Sequence, residues 1–350
     1  MFSVASTGRK MRLSVPLLIF FFFLLPCFAP ALAGEAGEDA ALVAAAKKEG
    51  KLSWYASMTV SEGDKLLRKF KEKYPFIETS YYRSGEENMM TRIMSETRAK
   101  KHMFDVVHIP VLNCETLKRR GVLAKYSSPH RQFAPEGTKD AEGYWTSIYL
   151  NLNVLGYNTK LVSPKEAPKS WDDLLAPRWK GKMGMDTKPF YWFGAMLKMQ
   201  GEKKGLDYMK KLAEQHVQLR TGRTLNAQLV AAGEFSLGIT LYNQRVEEMK
   251  TAGAPIEWLA IEPVIPDINP IAISAHAPHP HAAKLFVDYI LSREGQEVIA
   301  SFYRIPNRSD MDPIVPRLKK GLKVLPFDPT LVDDYERYIK LFREIFLIKK

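Results

Sequence analysis

The chain has 350 residues, of which 46% are hydrophobic, so it can bury more apolar surface than one small core holds, and we expect two domains. It carries 51 Lys and Arg residues against 39 Asp and Glu residues, a formal net charge of +12. No basic block is interleaved with aromatic residues as in a nucleic-acid groove. The charge therefore indicates an anionic solute or plain solubility, and we expect no nucleic-acid partner.

The first 33 residues form a segment of their own. Three basic residues precede an apolar run over residues 13–28, and a small-x-small signal-peptidase site ends at Ala33. The run is too short to indicate a retained membrane span. We therefore predict a signal peptide over residues 1–33, cleaved near Ala33-Gly34, and a periplasmic mature protein with a net charge of about +9.

Cysteine usage agrees with export. Cys27 lies in the predicted signal, and Pro26 stands before it where a lipid-attachment site carries a small residue, so we expect no lipid anchor. Cys114 is then the only cysteine of the mature chain, and no intrachain disulfide can form. The fold must rely on its apolar cores, as suits a large bacterial periplasmic protein.

A strand, a loop, a helix and a second strand are predicted over residues 51–82. Residues 52–56 are almost wholly apolar, as in a buried parallel strand, and apolar residues recur at helical spacing over residues 66–70. The loop between them carries Ser57 and Thr59, whose hydroxyls can cap the helix, while the same helix N–H groups can hold an anion. A capped turn and one wall of a binding site are both compatible with this loop.

The remaining chain alternates strands with helices, which predicts an α/β fold with largely parallel sheets. Residues 144–157 are rich in aromatic and β-branched residues, and we predict strands there, separated by the turn-prone Asn151 and Asn153. This segment and residues 261–273 are predicted to cross between two domains. Further strands are predicted over residues 104–109, 183–186, 216–219 and 237–242, and helices over residues 40–49, 114–120, 190–199, 203–215, 225–232, 244–252, 281–291, 294–302 and 331–347.

Four polar loops lie where a strand ends and a helix begins, which is the edge of an open α/β sheet at which ligands bind. Any one of them is explained by a capped turn, but four in two domains predict a polar cleft. Arg220 and Arg223 are the sharpest candidates because a guanidinium fork suits carboxylate or phosphate, the alternative being a solvated surface. The four loops cover residues 57–61, 83–86, 186–189 and 220–224.

Metal binding and catalysis have no motif to support them. His276, His279 and His281 are close in sequence, but Pro278 and Pro280 keep them off one helical face, so a loop leading into a helix is predicted. The sequence contains no GxSxG elbow, no HExxH and no GxxxxGK[ST]. We expect no enzyme activity, no cofactor and no metal, and an exported enzyme acting on an anionic substrate is the alternative from another class.

Residues 277–296, APHPHAAKLFVDYILSREGQ, resemble the ferric-binding-protein-like group of periplasmic solute-binding proteins of ABC importers. The resemblance covers about residues 40–310. Shorter segments carry it further: Asp105-Val106-Val107, Gly156-Tyr157-Asn158-Thr159, Ser170-Trp171-Asp172-Asp173-Leu174, Pro177-Arg178-Trp179-Lys180-Gly181-Lys182, Gly222-Arg223 and Ala232-Gly233-Glu234.

The resemblance implies an α/β, two-lobed type 2 periplasmic-binding-protein fold, in which each lobe is a mainly parallel sheet flanked by helices and hinge strands join the lobes. On this basis lobe 1 comprises residues 34–150 with 266–310, lobe 2 comprises residues 151–265, and residues 311–350 form a helical C-terminal tail. The implied partners are a small solute and an inner-membrane ABC permease, and we expect a monomer.

The resemblance also bears on the solute. Ferric-ion members carry a tyrosine pair where this chain reads Tyr242-Asn243, and often a histidine in the loop that here reads Ser57-Met58-Thr59. Ferric iron needs hard anionic oxygen ligands, whereas the candidate cleft gathers cations. Relatives take phosphorylated sugars, phosphonates, thiamine or other organic ions, so we expect a small anionic organic solute of carboxylate, phosphate or phosphonate type, with ferric iron or an iron–anion complex as the alternative. The cations are Arg83, Lys188, Arg220 and Arg223.

The predicted site therefore has two walls that face each other across the cleft. One wall is predicted to contain Ser57, Thr59, Arg83 and Ser84. The other is predicted to contain Thr187, Arg220, Thr221, Arg223 and Tyr242, with Tyr149 near the hinge.

Overall fold

The computed structural model describes residues 1–5, 8 and 39–347. The chain divides into two units, Met1–Glu35 and Ala36–Lys350, and the fold below is that of the second. Most of the predicted signal peptide lies outside the described residues. Within the described residues, no helix combines the length and the apolar character needed to cross a membrane.

The second unit alternates strands with helices, as predicted. Its strands are β1 Lys51–Ala56, β2 Glu78–Arg83, β3 Val106–His108, β4 Leu123–Ala124, β5 Trp145–Asn158, β6 Met183–Asp186, β7 Gln218–Arg220, β8 Leu237–Tyr242, β9 Ile256–Leu259, β10 Pro266–Ser274 and β11 Ile305–Pro306. Its α-helices are α1 Ala40–Glu49, α2 Val60–Lys73, α3 Glu86–Arg98, α4 Val111–Arg119, α5 Phe190–Gln200, α6 Glu202–Glu214, α7 Arg223–Ala232, α8 Asn243–Thr251, α9 Pro280–Leu291, α10 Arg293–Ala300 and α11 Tyr335–Phe346.

The strands form one curled, mixed sheet in the order β2-β1-β3-β10-β5-β8-β6-β7. The strands that alternate with helices pair in parallel, β1 with β2 and β3, and β6 with β7 and β8. The crossover strands add antiparallel pairs, because β10 runs against β3 and β5, and β5 runs against β8 and β9. The predicted α/β fold is confirmed.

Strand β5 is one continuous strand of 14 residues, so the predicted break at Asn151 and Asn153 is wrong. Both side chains are buried and have hydrogen-bond partners. Asn151 Oδ1 accepts from Arg304 Nη1 at 2.9 Å, and Asn153 Nδ2 donates to the Ile265 carbonyl at 3.1 Å. These tertiary hydrogen bonds take the place of the local ones through which asparagine favours turns.

Two lobes result because β5 crosses from one half of the sheet to the other. We call β1–β4, β10, β11 and the start of β5, with the helices packed on them, the first lobe. The second lobe contains the end of β5, β6–β9 and their helices. Trp54, Phe70 and Phe286 are fully buried in one lobe, and Trp192 and Phe193 in the other. The predicted lobe boundaries at residues 150 and 266 stay a prediction, since β5 runs through the first of them.

The C-terminal segment folds onto the second lobe. A short turn at Pro329–Val332 precedes α11, whose Tyr338 and Phe342 are fully buried. The ring of Tyr338 lies so close to Gly194 of α5 that a Cβ there would be 2.6 Å from the ring. The absence of a side chain at this position lets the two helices pack closely.

Candidate functional site

A narrow pocket lies where the two lobes and α11 meet. Residues from α3, the start of α4, the β6–α5 loop with the first turn of α5, α7, β10 and α11 contribute to its wall, so five segments far apart in sequence converge there with the C-terminal helix. Its charged and aromatic lining residues are Glu86, Lys188, Tyr191, Arg223, Asp267 and Tyr335.

Arg223 is the central cation of this pocket. It is the first residue of α7, directly after Gly222, whose φ of 104° places it in a backbone conformation that favours glycine. Its Nη1 lies 3.2 Å from Asp186 Oδ2, and its Nη2 lies 4.0 Å from Asp267 Oδ2. Only 12% of the side chain is exposed, and its buried Nε has no hydrogen-bond partner among the described residues. The guanidinium is thus held in place with one N–H group left to bind something else.

Tyr242 packs against the Arg223 guanidinium. The Arg223 guanidinium carbon lies 4.6 Å from the centre of the Tyr242 ring, a cation–π distance. The Tyr242 hydroxyl donates a hydrogen bond to Asp267. Burial raises the pKa of Tyr242 well above its usual value of 10, so in the absence of a bound cation the group is a phenol that donates.

Glu86 adds a carboxyl group to the same pocket. Burial and then the negative charge of Asp267 raise the pKa of Glu86 to about 7, although Arg223 and Lys188 act in the opposite direction. Near neutral pH this carboxyl group is therefore about half protonated. A protonated Glu86 donates a hydrogen bond, whereas an ionised Glu86 repels an anion.

The opposite side of the cleft contains a buried polar network. The Thr59 hydroxyl donates to Glu62 at 2.8 Å, and Glu62 accepts from Arg304 Nη2 at 2.8 Å. The Arg304 guanidinium lies 3.9 Å from the centre of the Tyr149 ring, and the Tyr149 hydroxyl is 2.9 Å from His108 Nε2. Two predicted site residues, Thr59 and Tyr149, are thus connected through residues that the sequence did not single out.

Helix α2 begins beside this network without a side-chain cap, because the Thr59 hydroxyl bonds to Glu62 instead of to a backbone N–H group. Ser57 is half-buried, and its N–H donates to the His108 carbonyl at 3.0 Å. Ser84 follows β2, and its N–H donates to the Ala56 carbonyl at 3.3 Å. The loop after β1 and the loop after β2 therefore lie side by side, as their parallel strands require.

The predicted residues of the second wall separate into two groups. In the first group, Arg223 lines the pocket and Tyr242 contacts Arg223. The Thr187 and Thr221 hydroxyls lie 3.1 Å from each other. Arg220 is exposed and lies outside the pocket lining, with Nη1 donating to the Leu219 carbonyl at 2.9 Å. Arg83, at the end of β2, is also exposed and outside the lining.

Several pocket residues were not predicted. Glu86 and Asp186 stood inside predicted ligand-binding loops, and a carboxylate at such a loop was the available signal. Asp267 lies in a segment predicted to cross between the domains, where a buried charge is costly; this could mark it as a candidate but could not place it in this pocket. Tyr191 belonged to an aromatic pair interpreted as core or cleft wall, and nothing in the sequence pointed to Tyr335.

Two side chains that bear on metal binding, those of Asn243 and His279, are occupied in the fold. Asn243 is fully buried, and its side chain accepts from Leu152 N–H and donates to the Leu318 carbonyl at 2.9 Å, so it is occupied in the fold. His279 bonds to Asp105 at 3.0 Å, ahead of α9, as expected for a loop leading into a helix. Over residues 39–347, no group of three or more His, Cys, Asp or Glu side chains is placed to hold a metal ion.

Two lobes that meet around a pocket are typical of a protein that binds a small ligand between them. The family described as bacterial extracellular solute-binding protein matches residues 113–328, and the chain belongs to this family. It is a periplasmic-type solute-binding component of an ABC importer, and the resemblance to the ferric-binding-protein-like group is confirmed.

Relatives and solved structures agree with this assignment. The chain is 28% identical over 274 residues to an uncharacterized protein of Haemophilus influenzae, covering 74% of this chain and 78% of the relative. It is 26% identical over 173 residues to the Fe(3+)-binding periplasmic protein of Serratia marcescens, covering 46% of this chain and 50% of the relative. It is 27% identical over 188 residues to a putative 2-aminoethylphosphonate-binding periplasmic protein of Salmonella typhimurium, covering 50% of this chain and 55% of that one.

The fold resembles iron-bound HitA from Pseudomonas aeruginosa with a TM-score of 0.77 and 22% identity, over 85% of this chain and 99% of that one. It resembles AfuA from Actinobacillus pleuropneumoniae, with fructose-6-phosphate bound, with a TM-score of 0.76 and 24% identity, over 86% of this chain and 99% of that one. These structures confirm the two-lobed type 2 periplasmic-binding-protein fold. The named relatives are binding proteins.

Proposed function

We propose that this protein captures a small anionic organic solute, of carboxylate, phosphate or phosphonate type, in the pocket between its lobes and delivers it to an inner-membrane permease. The observation that carries the proposal is Arg223: a guanidinium held in place by Asp186 and Tyr242, at a pocket, with a buried Nε that has no partner among the described residues. A planar guanidinium binds carboxylate or phosphate oxygens through paired N–H groups.

The carboxylates near Arg223 affect how strongly it can bind an anion. Asp186 fixes the guanidinium, while the contact to Asp267 is long, at 4.0 Å, and its carboxylate already accepts from Tyr242. A bound anion would compete mainly with this weaker contact. Protonation of Glu86, whose pKa is raised to about 7, removes one of the charges that oppose an anion.

The remaining predicted residues belong to the same proposal. On this proposal Ser57, Thr59 and Ser84 and the uncapped start of α2 form the facing wall of the cleft, where free N–H groups donate hydrogen bonds to an anion. Thr187 and Thr221 supply hydroxyls beside Arg223. The exposed Arg83 and Arg220 would attract an anion at longer range, where their contribution depends on ionic strength.

The experiment is isothermal titration of the mature protein with phosphate, 2-aminoethylphosphonate, fructose 6-phosphate and citrate, the last with and without ferric iron. We expect Arg223→Ala to weaken the best-bound anion by at least tenfold, because a charge-assisted hydrogen bond contributes about 1.5–3 kcal/mol. Arg178→Ala is the matched control, since Arg178 is exposed and donates to the Glu166 carbonyl in the same lobe. Equal affinities for the wild type and Arg223→Ala would remove the proposal.

Other functions give different results in the same samples. Binding of citrate only together with iron, with colour from a tyrosinate–iron bond, would favour the iron–anion alternative. Turnover of any probe would favour an exported enzyme. Sequencing the N-terminus of protein recovered from the periplasm tests the predicted cleavage before Gly34, and size-exclusion chromatography tests the expected monomer.

A further inference from the structure

We propose that residues 316–346, here called the strap, hold the two lobes closed over the pocket and that Tyr335 of the strap is a selectivity-determining residue for the solute. The selectivity part rests on the proposed function, whereas the closure part does not. Three observations carry the proposal: the strap is anchored on one lobe, it makes ion pairs with the other lobe, and its aromatic residues reach the pocket.

The strap is firmly attached to the second lobe. The Leu318 side chain is fully buried, and its carbonyl accepts from Asn243 Nδ2 at 2.9 Å. Leu325 N–H donates to the Val264 carbonyl at 2.8 Å. Further along, Phe342 is fully buried with its ring centre 5.7 Å from that of Phe193. The strap is therefore anchored on this lobe.

The strap also contacts the first lobe: its turn at Pro329–Val332, with Leu331 and Val332 buried, packs against α4, and charged residues form ion pairs. Asp333 accepts from Arg119 of α4 at 2.6 Å. Arg343 Nη2 lies 3.3 Å from one carboxylate oxygen of Glu87 on α3, and Lys188 of the second lobe lies 2.7 Å from the other oxygen. These pairs are solvent-exposed, with about half of the Glu87 and Asp333 side chains accessible. Exposed pairs are individually weak and reversible, which suits a closure that must open again.

Two aromatic residues of the strap reach the space between the lobes. Phe327 has its ring centre 6.2 Å from that of Trp145 and 6.3 Å from that of Tyr191, so it lies between β5 and α5. Tyr335 lines the pocket together with Arg223 and Asp267. A solute that binds Arg223 would therefore lie beside the Tyr335 ring, which limits its size and shape.

Tyr335 lies in a part of the chain beyond the residues that match the family. The family match ends at residue 328, so Tyr335 and the whole of α11 lie outside the residues that match. One wall of the pocket is thus supplied by a segment that the family match does not include. Solute selectivity can then differ from that of relatives without any change in the lobes.

Closure is tested without any ligand. Spin labels at Lys71→Cys and Lys210→Cys, two exposed positions on opposite lobes, report the interlobe distance by double electron–electron resonance in the protein without residues 1–33; Cys114, the other cysteine of that chain, is buried. We expect Arg343→Gln with Asp333→Asn to broaden and lengthen the distance distribution. Arg337→Gln is the matched control, because Arg337 is on the same helix but pairs with Glu202 of the second lobe at 2.9 Å. Unchanged interlobe distances in the double variant would contradict the proposal that the strap holds the lobes closed.

Selectivity is tested with the titration probes phosphate and fructose 6-phosphate. We expect Tyr335→Ala to change the ratio of their dissociation constants by about fivefold or more, and Tyr335→Phe, which keeps the ring, to preserve the ratio; an unchanged ratio in Tyr335→Ala overturns the role of Tyr335. The Arg343→Gln variant should release the better probe about two- to fivefold faster than wild type, as the loss of one exposed pair allows.

Failure of the two proposals can be told apart. If the wild type binds none of the four titration probes, the anionic-solute proposal and the Tyr335 part fail, and the interlobe distances still decide the closure. If Tyr335→Ala does not fold, Tyr335→Leu replaces it, since leucine keeps an apolar contact with Phe190 but leaves the pocket wall smaller.

Discussion

The Arg223 guanidinium lies 4.6 Å above the ring of Tyr242 and is linked to the same tyrosine a second time, because Asp267 contacts both. The tyrosine therefore acts on the arginine in two ways. Its ring attracts the cation, and its hydroxyl occupies the carboxylate that would otherwise neutralise the cation. Binding of an anion at Arg223 depends on both.

Tyr242→Phe separates these two effects. We expect it to weaken the best anion by about five- to thirtyfold, because Asp267 loses a hydrogen-bond donor and turns its charge to Arg223. Tyr242→Leu should weaken it further, as the cation–π contact contributes about 0.5–2 kcal/mol. Isothermal titration measures both. Tyr208→Phe is the control, because Tyr208 donates to the Trp171 carbonyl at 2.9 Å, in the core of the second lobe; equal losses in Tyr208→Phe would contradict the assignment.

Glu86 should make the ligand-free protein less stable as the pH rises. Its folded pKa of about 7 lies above the usual 4.5, so the folded protein binds the proton more tightly than the unfolded chain. The stabilising proton is present below pH 4.5 and is lost as the pH rises through 7. We expect Glu86→Gln to raise the free energy of unfolding by about 1–3 kcal/mol at pH 8 and by little at pH 4.5, measured with urea. The exposed Glu234→Gln should show no such difference, and a Glu86→Gln effect that is equal at both pH values would be inconsistent with the raised pKa.

His108 should make the protein less stable as the pH falls, which is the opposite of the Glu86 effect. Burial lowers the pKa of His108 to about 4, below the usual 6.5. Between these values the unfolded chain binds a proton and the folded protein does not, so stability falls as the pH drops from 6.5 to 4. We expect His108→Gln to remove about 2–3 kcal/mol of this acid-dependent loss. Urea unfolding at pH 4.5 and pH 7 tests it, with the exposed His216→Gln as control, and an unchanged acid slope in His108→Gln would refute it.

The buried ion pair between Glu62 and Arg304 should be sensitive to loss of one partner. Their side chains are 8% and 7% exposed. Glu62→Gln leaves the Arg304 charge buried without its partner, and we expect a loss of about 3–5 kcal/mol in the free energy of unfolding. Glu72→Gln breaks an exposed pair with Lys69 and should cost less than about 1 kcal/mol. Similar losses in the two variants would show that the buried network does not hold the first lobe together.

Local patterns predicted most elements of this fold. The apolar run before Ser57 forms β1, and the spacing of Leu66, Leu67 and Phe70 forms the buried side of α2. The prediction failed at Asn151 and Asn153, because their turn preference is a local tendency and the hydrogen bonds that override it come from residues far away in sequence. Periodicity contains no information on such partners.

The candidate site, like the fold, was predicted only in part. Arg223 was found because it is a guanidinium, which suits carboxylate or phosphate, in a polar loop between a strand and a helix. Asp267 and Tyr335 were not found, because their places depend on the register of β10 against β5 and on the docking of α11 on α5. Both are long-range packing results, and a single sequence does not specify them.

The course of β10 has a consequence for how the chain folds. The second half of the sheet is built from strands that follow one another from β5 to β9, and its pairs join residues 34 to 104 positions apart, from Gly184 with Gln218 to Leu155 with Leu259. The first half lacks its middle strand until β10 arrives, and His108 must find Pro270, 162 positions later. Because distant pairings form slowly, we infer that the pairing of β10 with β3 is a late step, and a chain shortened before residue 266 leaves β3 paired with β1 alone, with its other edge open.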